Sequence, residues 1–205
     1  MKEARLFVGT FLDAKRASLV EEQKLQNKDL QERWQLRTRF VPAQKLHLTW
    51  FFIGNVESDR IDSVKADLQS TIAEWKTQPD NGPFQIQYDS AEVWPSLKSP
   101  RVLVIESTKD CPQAGSLNSA ITNALIMYAE KNEKIERFKR FRPHLTICRF
   151  SPDRKSTGKN RSIDDLRFAD AFFPLSHEIR TISLIKTDLD AGPNSYSSIF
   201  DLALD

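Results

Sequence analysis

Apolar and polar positions along this chain alternate between two rhythms. The run RLFVGTFL from Arg5 is apolar over strand length and reads as a buried strand. From Lys15 to Arg37 the pattern is mixed, with Leu19, Leu30 and Trp34 as the inward positions of a helix. A second strand, HLTWFFIG from His47, is ended by Gly54 and Asn55. The clearest helix runs from about Ser58 to Lys76, where Ile61, Val64, Leu68, Ile72 and Trp75 form one stripe and Ser58 or Asp59 can cap the first turn. PDNGP breaks the chain before a strand near Phe84 to Trp94. The same order then recurs: a strand RVLVIES from Arg101, a helix with Leu117, Ile121, Leu125 and Tyr128 on one face, and a strand HLTICRF from His144. A loop, DRKSTGKNRS, precedes two closing strands, IRTISLIKTD and YSSIFDLAL, separated by AGPN.

The opening strands of the two halves lie 96 residues apart and the two His-Leu-Thr tripeptides 97 apart. Such agreement predicts an internal duplication, with residues 1–205 forming one domain of two intertwined lobes; the period is too long for a solenoid.

Two of the chain's three histidines occupy this repeated tripeptide. Side chains on a strand alternate faces, so His47 and Thr49 point one way while Leu48 and Trp50 point into packing. His144 and Thr146 do the same against Leu145 and Ile147, and a pseudo-two-fold axis would bring both pairs to one cleft. In-line displacement at a phosphodiester needs a base and an acid on opposite sides of phosphorus. Two imidazoles with an unperturbed pKa near ~6.5 can supply both. Threonine hydroxyls can hydrogen-bond the non-bridging oxygens. The expected pH optimum lies at or slightly above ~6.5, because phosphate favours the protonated ring. A zinc site built from His47, His144 and a carboxylate is the metal alternative, but neither motif brings an Asp or Glu onto the histidine face, and no metal is expected. His177, in PLSHEIR, has no such partner and reads as a turn or surface residue.

Composition, with 40% hydrophobic and 28% charged residues, is that of a soluble globular protein. The formal net charge of +2 hides a local excess: Lys134 to Arg161 carries ten basic residues against Glu136 and Asp153. A chain polyanion such as RNA rewards that clustering more than a mononucleotide does. Cys111 and Cys148 are too few for a disulfide framework or cysteine-rich zinc site and read as reduced. No apolar stretch approaches the ~20 residues of a membrane span, and no signal-peptide core precedes Arg5. The expected setting is cytoplasmic, without a membrane, and the expected state a monomer.

Paired H-x-[ST]-x motifs in a duplicated chain resemble the two-histidine (2H) phosphoesterases. RLFVGTFL, RFVPAQKLHLTWFFIGNV, FRPHLTICRF and TDLDAGPNSY are similar, in order, to the bacterial RNA 2′,3′-cyclic phosphodiesterase branch, also called 2′-5′ RNA ligases. The resemblance implies an α+β, bilobal, pseudo-two-fold fold with mainly antiparallel sheets around a central cleft. It also implies hydrolysis of a terminal 2′,3′-cyclic phosphate of RNA to a 2′-phosphomonoester, without a cofactor, and 2′-5′ joining as the reverse reaction. His47 would be the proton donor to the leaving oxygen, His144 the base, and Thr49 and Thr146 the phosphate holders. Arg149 and Tyr196 would contact phosphate or nucleotide, although simple alternation puts Arg149 on the face opposite His144. A small nucleotide such as ADP-ribose 1″,2″-cyclic phosphate is the alternative substrate, and a non-catalytic RNA-binding module the alternative function.

Overall fold

The computed structural model describes residues 3–129, 141–151, 161–169, 171–188 and 195–205. Chain order is β1 (Glu3–Phe11), α1 (Ala14–Gln26), α2 (Leu30–Trp34), β2 (Arg37–Phe40), β3 (His47–Glu57), α3 (Ile61–Lys76), β4 (Phe84–Tyr88), β5 (Ser90–Trp94), β6 (Val102–Glu106), α4 (Pro112–Leu125), β7 (His144–Ser151), β8 (Leu175–Ile179), β9 (Thr181–Thr187) and β10 (Tyr196–Ala203). The fold is α+β, and its strand pairs are antiparallel.

The main sheet runs β10-β9-β1-β3-β7-β6-β5, with β2 also paired to β7. Its centre is palindromic. β1 and β3 of the first half mirror β6 and β7 of the second, and the halves meet at the bridge Leu48↔Leu145, two residues that are themselves 97 apart. Each half sends one strand across: β5 pairs β6, and β9 pairs β1. β4 and β8, the equivalent strands just upstream, pair with each other as a separate two-stranded sheet.

One face of the main sheet carries the principal core, into which the four helices among the described residues insert buried side chains: Ala17 and Val20; Leu30 and Trp34; Val64, Leu68, Ile72 and Trp75; Ala114, Leu117, Ile121 and Leu125. The stripe read for residues 58–76 is therefore the packed face of α3, with Ile61 at its margin. Neither Ser58 nor Asp59 is the cap, since both lie in a preceding 3-10 turn and Arg60 holds the N-cap position without a side-chain cap bond.

Other expectations need correction. The segment 15–37 is not one helix. Asn27 interrupts it, its buried amide donating to Gln23 O (2.9 Å) and Arg167 O (2.6 Å). Leu19 is 41% exposed because the buried row of α1 follows Ala17, Val20 and Lys24. β2 is a strand that the apolar pattern does not announce. The strand read across 84–94 is two strands in different sheets. At the break, the Asp89 carboxylate accepts from the Thr108 backbone N–H and hydroxyl, both at 2.9 Å. Tyr128 lies beyond α4, where its hydroxyl donates to Asp67 in α3 (2.7 Å). The loop 153–162 and the AGPN segment fall almost wholly outside the described residues.

Candidate active site

The two histidine strands are neighbours at the centre of the sheet. In an antiparallel pair, Leu48 opposite Leu145 sets His47 across from Thr146 and Thr49 across from His144. All four side chains are half-buried, while Leu48 and Leu145 between them are fully buried in the core. The rings are held alike. His47 Nδ1 lies 2.8 Å from Lys45 O and His144 Nδ1 lies 2.7 Å from Arg142 O. A carbonyl can only accept, so each Nδ1 carries hydrogen and each Nε2 is left for proton exchange.

The backbone irregularities are duplicated too. Along β1/β3, Gly9 pairs Thr49 and Val8 pairs Phe51, which leaves Trp50 extra. Along β6/β7, Val104 pairs Thr146 and Leu103 pairs Cys148, which leaves Ile147 extra. A bulge resets alternation beyond it. Burial shows the result: Trp50 and Phe51 are both buried, as are Ile147 and Cys148, and Phe52 and Arg149 emerge on the side of the His and Thr residues. Arg149 therefore shares the histidine face, contrary to simple alternation. Its positive charge adds to the burial that lowers the pKa of His47 and His144, and opposes the burial that raises that of Tyr196. Gly9 is required at the first bulge, because an added Cβ would sit 2.8 Å from Leu48 O.

Surroundings differ between the halves. His47 is walled by Phe7, Phe11 and Tyr196, with ring centroids 4.9, 6.1 and 5.0 Å away. Phe7, Tyr196 and Ile185, flanked by Phe11 and Phe52, form a small apolar cluster separate from the main core. Burial pushes the His47 pKa down to about 4, against the raising effect of the Lys45 carbonyl. His144 instead packs against Trp94 at 4.4 Å and pairs in register with Glu106, the position that Phe11 holds beside His47. Arg142 donates to both oxygens of Glu106 (2.7 and 2.6 Å) and to Glu92 (2.5 Å), and lies over the Trp94 ring. Burial also lowers the His144 pKa, with Arg142 and Arg149 adding to it. Free-protein values thus fall below 6.5, opposite to the upward shift expected from phosphate alone.

Tyr196 sits beside His47, but its hydroxyl donates to Lys45 O (3.2 Å), the same carbonyl that holds the ring. Lys45 Nζ returns a bond to Tyr196 O at 2.6 Å. The geometry makes Tyr196 a support for His47. His177 is no surface residue. It is fully buried in β8, its Nδ1 accepting from the Tyr88 hydroxyl (2.9 Å) and its Nε2–H donating to Phe11 O (3.1 Å). Sequence reasoning also missed Glu106, a carboxylate on the histidine face supplied by another strand; its pairing with Arg142 is the only signal, and it requires the fold. Among the described residues no three His, Cys, Asp or Glu side chains converge as a metal-ligand set. Cys111 and Cys148 are free thiols, and burial pushes the Cys148 pKa up to about 12. Of the basic run, Arg142, Arg149 and Arg161 are described, and the remainder lies outside the described residues.

Two pseudo-symmetric His-x-Thr strands thus present their side chains on one face of the sheet. The family model for the 2′-5′ RNA ligase superfamily matches residues 21–191. The chain belongs to this superfamily. Within the superfamily it is similar to the RNA 2′,3′-cyclic phosphodiesterase of Aquifex aeolicus (strain VF5), with 30% identity over 196 residues and 94% of each chain covered. This places it among the cyclic phosphodiesterases of the 2H phosphoesterase group. Its fold matches crystal structures of E. coli LigT complexed with phosphate (TM-score 0.70, 18% identity, 100% and 99% of the two chains) and of TT0787 of Thermus thermophilus (TM-score 0.68, 21% identity, 98% and 97%). No helix among the described residues is long and apolar enough to cross a membrane.

Proposed function

We propose that this 2H phosphoesterase hydrolyses the terminal 2′,3′-cyclic phosphate of RNA to a 2′-phosphomonoester. The observation that carries the reading is the pair of Nδ1-anchored histidines on neighbouring antiparallel strands, each with its threonine on the shared face. Water attacks phosphorus as His144 Nε2 takes its proton. The bond to O3′ breaks on the opposite side, and O3′ receives the proton held on His47 Nε2. Thr49 and Thr146 donate to the non-bridging oxygens, and Arg149 balances their charge.

Both rings are less basic in the free protein than in solution, so the proton on His47 is taken up with the substrate. The phosphodiester anion between the rings favours that protonated form. Attack by a 5′-hydroxyl on the cyclic phosphate in place of water gives a 2′-5′ linkage through the same acid and base. The RNA acts as substrate for a chain that works alone and without a metal or cofactor. The test is turnover of a short RNA ending in 2′,3′-cyclic phosphate with the product phosphate located: a 2′-phosphate is expected, whereas a 3′-phosphate would reverse the assignment of the leaving oxygen and no product would end the reading.

A further inference from the structure

Beyond the bridge at Leu48↔Leu145, β3 leaves the flank of β7 and β2 takes its place. The handover is made by Val41 N–H donating to Ile147 O (3.0 Å), and Phe40↔Cys148, Arg39↔Arg149 and Arg37↔Ser151 follow. Cross-strand partners share a face, so the bulge that turns Arg149 toward the histidines also assigns Arg39 and Arg37 to that side. Both are exposed, as is Arg149. Among the described residues none of the three has an acidic partner within ion-pair distance, in contrast to Arg142, which holds Glu92 and Glu106. Two residues along a strand advance ~6.8 Å, so Arg149, Arg39 and Arg37 occupy successive positions on that face, leading away from the site along β2. The first half has no counterpart: the equivalent of Arg149 there is Phe52, stacked on Phe7 with ring planes 2° apart.

We propose that Arg37 and Arg39 form, with Arg149, a track for the phosphate backbone of a single RNA strand whose cyclic end lies at the histidines. The track makes ends of oligonucleotides better substrates than cyclic mononucleotides. This rests on the proposed function for its substrate end, but the track itself is a binding surface. Charged residues on an edge strand also deter addition of a further strand. Guarding the edge would need the charges anywhere along β2, whereas the track needs them on the histidine face, free of acids and in register with Arg149.

The test compares wild type with R37Q/R39Q and R37K/R39K. Binding is measured by anisotropy with a 5′-labelled RNA hexamer ending in 2′-phosphate, across a salt series. Turnover is measured on a hexamer and on a mononucleotide, each with a 2′,3′-cyclic phosphate. Each lost backbone contact on a single strand removes about 0.7 from the slope of log affinity against log salt. R37Q/R39Q should therefore flatten the slope by about 1.4 and weaken hexamer binding roughly tenfold near ~0.1 M salt. The loss of turnover should be confined to the hexamer, and R37K/R39K should restore most of it. An unchanged slope in R37Q/R39Q, or equal losses on hexamer and mononucleotide, would overturn the track. If wild type turned over neither cyclic substrate, the functional reading would fail while the binding slopes still decided the track.

Discussion

The two halves of the site share a backbone and differ in nearly everything that touches it. On the β3 side, His47 stands among Phe7, Phe11 and Tyr196, and burial holds its pKa down at about 4. On the β7 side, His144 stands against Trp94, Glu106 and Arg142, and it faces a charged network instead of an aromatic wall. Duplication supplied the same three devices twice: the Nδ1 carbonyl anchor, the threonine two residues on, and the bulge after it. Divergence then acted through the neighbouring strand, where Phe11 and Glu106 occupy equivalent places. Two identical groups thus stand in unlike surroundings, with burial lowering the pKa of both.

The strongest way to break the comparison is to remove one ring at a time. His47→Ala and His144→Ala should each lower kcat by roughly 10²–10⁴. The double variant should lose less than the product of the two, because neither residue completes the displacement alone. Steady-state turnover of a cyclic-ended RNA measures all three, and near-normal rates in either single variant would remove the pair from the mechanism.

Next in size are the threonines. Thr49→Val or Thr146→Val deletes a hydrogen bond to a charged oxygen, worth about 1.5–3 kcal/mol, or roughly 10- to 150-fold in rate. Serine at either position should recover most of it. Similar rates for the Val and Ser variants would mean that the hydroxyl is not the group in use.

A smaller effect sharpens the asymmetry itself. Glu106 neutralises Arg142, whose charge lowers the His144 pKa. Glu106→Gln keeps the shape and leaves Arg142 less balanced, so the pH profile, whose limbs belong to the coupled pair, should move to lower pH. The rate loss at the optimum should stay below about tenfold, since one neutral-for-charged hydrogen-bond change is worth about 1 kcal/mol. A loss of rate with the limbs unmoved would reduce Glu106 to packing.

His177 tests stability apart from catalysis. Burial lowers its pKa to about 4, so the folded protein holds it neutral while the unfolded chain protonates near ~6.5. Its stabilising contribution is present above ~6.5 and is lost as pH falls toward 4, at about 1.4 kcal/mol per pH unit. His177→Gln should flatten denaturant-derived stability by about that slope over the same window. It should also cost about 1–3 kcal/mol at pH 7 through the bonds to Tyr88 and Phe11. A wild-type slope in the variant would mean that another group titrates.

Where the determinants are local, the sequence reads well. The repeated tripeptide, its strand setting and the phase of His47 with Thr49 all follow from period-two alternation within a few residues. Alternation fails for Arg149 because Ile147 and Cys148 carry no glycine or other local mark of a bulge; only the pairing with β6 reveals it. The burial of His177 is hidden because its partners, Tyr88 and Phe11, lie 89 and 166 residues away. The swap of β5 and β9 between halves is equally invisible, since a strand's pattern does not say which edge it joins. Leu19 misleads because a helical pattern continues on paper across Asn27, where a buried side chain ends the helix.

The pH dependence of kcat/KM for a cyclic-ended RNA, run with and without EDTA on metal-free protein, tests the acid-base pair most directly. Because kcat/KM reports the free enzyme, and burial lowers both histidine pKa values, the account predicts a bell with its optimum below 6.5. The limbs should belong to the coupled pair, the kcat optimum should lie at higher pH than that of kcat/KM, and the chelator should have no effect. Activity abolished by EDTA and restored by zinc or manganese, or a profile without two limbs, would contradict it.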